Sequence, residues 1–97
     1  MNVSASDPIH NYSNPKIVVK KAKQYLGKDA IILRSTRPTK KYMVKYGNKI
    51  VHFGAMGYED YTKHRNKTRR KNYLTRSAGI HGDTKYSANQ LSRNILW

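Results

Sequence analysis

Between Lys41 and Phe53 the chain reads Lys-Tyr-Met-Val-Lys-Tyr, then Gly47-Asn48, then Lys-Ile-Val-His-Phe. Two runs rich in β-branched and aromatic residues, separated by two turn formers, specify an antiparallel hairpin. A two-residue loop also sets the register: Tyr46 lies opposite Lys49, Val44 opposite Val51 and Tyr42 opposite Phe53. One face then carries Tyr42, Val44, Tyr46, Val51 and Phe53, and is expected to pack on a helix. The other carries Met43, Lys45, Ile50 and His52.

The flanks supply that helix and a third strand. Asn14 is a good N-cap and Pro15 suits the first helical position. From there Val18, Val19, Ala22, Tyr25 and Leu26 fall on one side of a helical wheel, with Lys16, Lys20, Lys21 and Lys23 on the other, and Gly27 is the stop. Ala30 to Ser35 is a short apolar run that reads as a strand, followed by a turn over Thr36 to Thr39. After the hairpin, Tyr58 to Arg76 lacks Pro and Gly and is expected to be helical with a break near Asn66; Asp60 is placed to cap it. Gly79 and Gly82 mark a loop, and Ala88 to Trp97 closes in a short helical or irregular segment. The expected fold is α+β. A small antiparallel sheet, built from hairpin 41–53 and a strand near 30–35, packs with an N-terminal amphipathic helix and a basic helix after the hairpin. Residues 1–15 carry two prolines, no period and no Lys or Arg, and the first fourteen read as an extended arm that is mobile or ordered by a partner. The division is therefore arm 1–14, domain 15–78, and a C-terminal extension 79–97 with an apolar end.

Ninety-seven residues make one domain with a small core. Eight tyrosines argue against a fully disordered chain. The absence of cysteine excludes disulfides, thiol catalysis and Cys-ligated zinc. No apolar run approaches the ~18 residues of a membrane span, and the start lacks the basic-then-apolar order of a signal peptide, so a protein on the synthesis side of any membrane is expected. The four histidines (10, 52, 64 and 81) stand far apart with no His-x₃-His pair, so no metal is expected. A hairpin followed by a helix with His52, His64 and Asn66 has the order of a ββα-metal nuclease, but the first strand carries no histidine to act as base. No phosphate-binding glycine loop and no nucleophile–base pairing stands out. No enzyme, no cofactor and no small-molecule substrate is expected.

Charge points instead to a binding protein. Twenty Lys and Arg against five Asp and Glu give a net charge of +15, and a chain so basic repels itself unless it meets an acidic partner. Seven of the basic residues fall in 63–76: Lys63, Arg65, Lys67, Arg69, Arg70, Lys71 and Arg76, with no acidic residue among them. On a continuous helix Lys63/Lys67 and Arg65/Arg69 would be repulsive i,i+4 pairs, which marks a contact surface for phosphates or carboxylates rather than a solvated face. The planar fork of Arg suits both groups. No sequence-reading element is visible, so DNA binding would be nonspecific.

Four stretches bring a resemblance: Lys40-Lys41-Tyr42-Met43-Val44; Val51-His52-Phe53-Gly54; Gly57-Tyr58-Glu59-Asp60-Tyr61-Thr62-Lys63-His64; and Arg69-Arg70-Lys71-Asn72-Tyr73-Leu74-Thr75-Arg76. Over residues 31–97 the chain resembles a family of small basic proteins encoded by large nucleocytoplasmic DNA viruses of algae and protists, a family with no established activity. That family usually continues with Arg-His and a Trp, then a Trp-rich segment. Here Arg76 is followed by Ser77, and the end reads Asn89-Gln-Leu-Ser-Arg-Asn-Ile-Leu-Trp97. The resemblance implies a viral protein, made in the host cytoplasm and found in the virion. It suggests a minor capsid protein cementing larger capsid proteins through its arm and its basic surface, with Ile95, Leu96 and Trp97 as the partner anchor. The alternative it leaves is a nonspecific DNA-binding or genome-packaging protein.

Overall fold

The protein is described by a computed structural model at residues 1, 3–79 and 84–97; His81 and Gly82 lie outside the described residues. A 3₁₀ turn, Pro8–Asn11, is capped by Asp7, whose carboxylate accepts from the Ile9 N–H. Helix α1 spans Pro15–Leu26; the Asn14 side chain accepts from the Lys16 and Ile17 N–H groups, and Gly27 follows the last turn. Strands β1 (Ile32–Arg34), β2 (Lys40–Tyr46) and β3 (Lys49–Ala55) form an antiparallel sheet in the order β1-β2-β3. Two short helices follow, α2 (Tyr61–His64) capped by Asp60 and α3 (Lys67–Ser77) capped by Asn66. The chain closes with α4 (Ala88–Leu91) and a π-helical turn over Ser92–Leu96, in which the Trp97 N–H donates five residues back to the Ser92 carbonyl. The architecture is α+β. No helix among the described residues is long and apolar enough to cross a membrane.

The hairpin register is the one the two-residue loop demands: Tyr46 pairs with Lys49, Val44 with Val51 and Tyr42 with Phe53. Gly47, at φ 58°, supplies the positive φ that a type II′ turn requires at its first central position. Tyr42, Val44 and Phe53 are buried, joined by Ile32 from β1 and by Val18 and Ala22 from α1. Lys16, Lys20 and Lys23 of α1 are exposed, whereas Lys21 is half-buried. Tyr46, at the strand end, is exposed and stacks on Tyr86 with ring centroids 4.0 Å apart. The outer face of the sheet leaves Ile31, Leu33 and Ile50 exposed.

Both ends of the chain depart from expectation, and the core explains why. Residues 1–14 do not form an extended arm. Ile9 is 0% exposed, Ser13 is buried, and the Asp7 carboxylate meets Arg34 Nε at 3.0 Å. Arg34 in turn donates to the carbonyls of Lys40 and Lys41, so one side chain ties the N-terminal segment to the sheet. The C-terminal segment is not an appendage either. Leu91, Ile95 and Leu96 are buried in the same core, so Ile95 and Leu96 are not anchors for a partner; Trp97 is half-buried against Tyr73. A sheet of three short strands cannot bury enough surface alone, and residues outside 15–78 complete it. The C-terminal turn packs along α1 and, with α4, against β3, taking much of the place expected for α1 on the sheet. Gly54 shows how closely it packs: at φ +82°, a Cβ there would lie 2.7 Å from Leu96 Cδ1.

Candidate nucleic-acid interface

Behind the sheet end a buried polar cluster sets the position of α2. The Tyr42 hydroxyl donates to Ser13 Oγ at 2.7 Å, and Ser13 Oγ lies 3.2 Å from Thr62 Oγ1. Thr62 Oγ1 accepts from the Asn14 N–H at 2.9 Å and donates to Asp60 Oδ1. Asp60 Oδ2 accepts from Lys41 Nζ at 3.2 Å. One carboxylate therefore caps α2, neutralises a buried ammonium and connects both ends of the hairpin region to the N-terminal segment. Burial pushes the Lys41 ammonium below its ordinary value, against the opposing pull of Asp60. Asp60 thus has the capping role read from sequence, with a second duty that spacing did not reveal.

From α2 the chain turns sharply. Arg65 takes a left-handed conformation (φ 57°), the only non-glycine residue with positive φ among those described. His64 Nδ1 accepts from the Asn66 N–H at 2.9 Å, and Asn66 then caps α3 through the Arg69 N–H. The break at Asn66 separates Lys63 from Lys67 and Arg65 from Arg69, so neither couple is an i,i+4 pair of one helix. That removes the helical repulsion inferred from the continuous reading.

The seven basic residues do not share one face. Arg69 and Arg76 line a cleft of about 660 Å³. With Asn72 and Tyr73 they form an i, i+3, i+4, i+7 row on α3 that makes one wall. Asn89 of α4, Ser92 of the π-helical turn, Lys40 and Gly54 of the sheet end, and Tyr58 with Glu59 from the turn after it also line the cleft. Arg65 and Arg70 instead lie over the Tyr61 ring, at 4.9 and 5.5 Å from its centroid. Both lie close enough to Lys21 of α1 that, after burial, Arg70 and then Arg65 help lower its ammonium from the ordinary value. Lys63, Lys67 and Lys71 are exposed.

An aromatic ladder holds these groups in place. Tyr61 meets His64 at 6.0 Å between centroids, His64 meets Trp97 at 5.1 Å, and Trp97 stacks on Tyr73 at 4.2 Å with 10° between planes. Arg65 and Arg70 cap one end, and Arg76 lies 5.8 Å from the Tyr73 centroid at the other. Arg70 Nε also donates to the Trp97 main-chain oxygen at 2.6 Å. Guanidinium groups held on aromatic rings keep their charge while losing flexibility. The acidic residue on this cleft is Glu59, which pairs with Arg69 at 3.1 Å.

Sequence reasoning found Arg69 and Arg76 of the cleft but missed Lys40, Tyr58, Asn72 and Asn89. The row from Arg69 to Arg76 was open to detection by its helical period. Lys40 and Tyr58 carry no such signal, since the hairpin and the turn after it bring them to the cleft. A family of unknown function, DUF5754, matches residues 30–77, the stretch from the strand before the hairpin to the end of α3. No curated protein and no solved structure matches the chain.

Proposed function

We propose that the protein binds nucleic acid without sequence preference, as a non-enzymatic, genome-associated component of a virion. The observation that carries this reading is the meeting of Lys40, Arg69 and Arg76 with aromatic side chains in one cleft, flanked outside it by exposed Lys63, Lys67 and Lys71. Cations backed by aromatic rings are the chemistry of phosphate and base recognition. Internal neutralisation is slight: among the described residues three ion pairs engage Asp7, Glu59 and Asp60, against twenty Lys and Arg in the chain. The capsid-cement reading drew on an extended arm and a partner-seeking apolar end. Ile9, Ile95 and Leu96 are buried in the chain's own core, and the basic surface, the remaining support for cementing, serves genome binding equally.

The test replaces Lys63, Lys67 and Lys71 together by Gln, outside the cleft and the core. Duplex binding weakens about equally on unrelated sequences, and the slope of log affinity against log salt flattens by up to about 0.9 for each phosphate that is no longer neutralised. Affinity that does not respond to salt, or strong discrimination between two duplexes, overturns the proposal.

A further inference from the structure

We infer that the cleft between α3 and α4 is a site for an unpaired nucleotide, so that the protein grips single strands there and meets duplexes only through its outer lysines. The inference rests on the nucleic-acid reading above and adds the form of strand that the cleft accepts. The basic row of α3 lines a concavity instead of projecting as a ridge, so it does not present itself to a duplex groove. The volume of about 660 Å³ falls within the range of roughly 300–1,000 Å³ for small-ligand sites. A paired base hides its faces in the stack, whereas an unpaired one offers a face to aromatic side chains and its edges to polar groups.

The cleft supplies each of these partners. Tyr58 lines the cleft and is 72% exposed, which leaves its ring open to a base. Trp97 forms part of the wall and is held three ways: by stacking on Tyr73, by its N–H to the Ser92 carbonyl, and by Arg70 on its main-chain oxygen. The π-helical turn that sets this geometry is a rare element, frequent at functional sites. Asn72 and Asn89 bring amide groups to the same cleft, and Lys40, Arg69 and Arg76 provide the cations for the flanking phosphates. A site held this rigidly loses little freedom on binding. Glu59 is the opposing element: it occupies Arg69 and sets a negative charge where a phosphate would come.

The experiment uses the full chain and a short oligothymidylate, compared with a duplex of equal length. Trp97 is the only tryptophan in the chain, so its emission reports on the cleft. The single strand is expected to quench Trp97 saturably, and the duplex to bind with little quenching. Tyr58→Ala, at an exposed position that leaves the core intact, weakens single-strand binding roughly five-fold or more and leaves duplex binding within two-fold. Glu59→Gln tightens single-strand binding, a gain that a purely structural role for Glu59 would not produce. Equal quenching by both forms, or a Tyr58→Ala variant that binds the single strand as well as the parent, overturns the cleft assignment while nonspecific binding stands. Failure to bind either form overturns both readings.

Discussion

Lys41 Nζ lies 3.2 Å from Asp60 Oδ2, and the two side chains are 3% and 0% exposed. A buried pair of this kind is a weak source of net stability, but removing one partner strands the other charge in the interior, at a cost of about 3–5 kcal/mol. Asp60 also caps α2 through the Thr62 N–H. Asp60→Ala is therefore expected to lower stability by about 3–5 kcal/mol, a large part of the ~5–15 kcal/mol typical of a whole domain. Replacing the pair together, Lys41→Met with Asp60→Asn, is expected to recover much of the loss, since no charge is then left alone and the cap acceptor is retained. Urea denaturation of the three proteins checks this. A single variant that loses less than about 1 kcal/mol would show that the pair does not hold the hairpin to α2.

The N-terminal segment is expected to be part of the folding unit. Ile9 is fully buried, and Ile9→Ala should cost about 2–5 kcal/mol. Two kcal/mol alone lowers the melting temperature of a domain this small by roughly 8 °C or more. The Asp7–Arg34 pair gives this segment a pH dependence. Burial raises the Asp7 carboxyl, but the Ile9 N–H and Arg34 outweigh it and hold it below the ordinary value of 3.8. A depressed carboxyl stabilises the fold above that ordinary value, and the contribution is lost as pH falls through the lower folded one. Calorimetry of Ile9→Ala, and of Asp7→Asn across the acid range, tests both points. Unchanged melting temperatures would return residues 1–14 to a mobile arm.

His64 should make the Trp97 environment sensitive to mild acid. Its Nδ1 accepts from the Asn66 N–H, its Nε2 is buried without a hydrogen-bond partner, and its ring lies 5.1 Å from that of Trp97. Burial, then the positive charge of Arg69, lowers its proton affinity below the ordinary 6.5, against Glu59 and Asp60. The neutral form is thus the native one. Its contribution is complete above about pH 6.5 and is lost as pH falls through the lower folded value, where protonation also removes the acceptor at Nδ1. Trp97 emission should shift in that window, and His64→Gln should abolish the transition. His52→Gln serves as the control, because His52, bonded to Ser35 Oγ at 2.7 Å, is also lowered but lies elsewhere. A transition that survives His64→Gln refutes the assignment.

The legible parts of this chain were those whose cause is local. Gly47-Asn48 between two alternating runs determined the hairpin and its register, because turn geometry and pleat leave one pairing that puts Tyr42, Val44 and Phe53 on a common face. Asn14 and Asp60 each announced a helix start, because a short polar side chain satisfies orphan N–H groups within its own turn; near Asn66 the sequence marked only a break, and the structure makes Asn66 the cap of α3. Of the candidate site, the cationic residues of α3 were visible, but not which of them face the cleft.

Long-range packing decided the remainder. Ile9 stands alone among polar residues, so no period marked it for burial; Arg34, twenty-seven positions away, meets the Asp7 that caps its turn. Ile95 and Leu96 are as apolar as any partner anchor, and whether such residues face inward depends on whether the chain's own core has room for them. This core does: three short strands leave much of their buried face for the C-terminal turn, and Gly54 lacks the Cβ that would obstruct Leu96. The cleft follows from the same packing. Arg69 and Arg76 became its wall, and Arg65 and Arg70 its neighbours on Tyr61, only when the break at Asn66 redirected α3 and the π-helical turn set Trp97 on Tyr73. Composition and spacing determine how much charge a chain carries and which helices carry it; the direction each charge faces depends on how those helices pack.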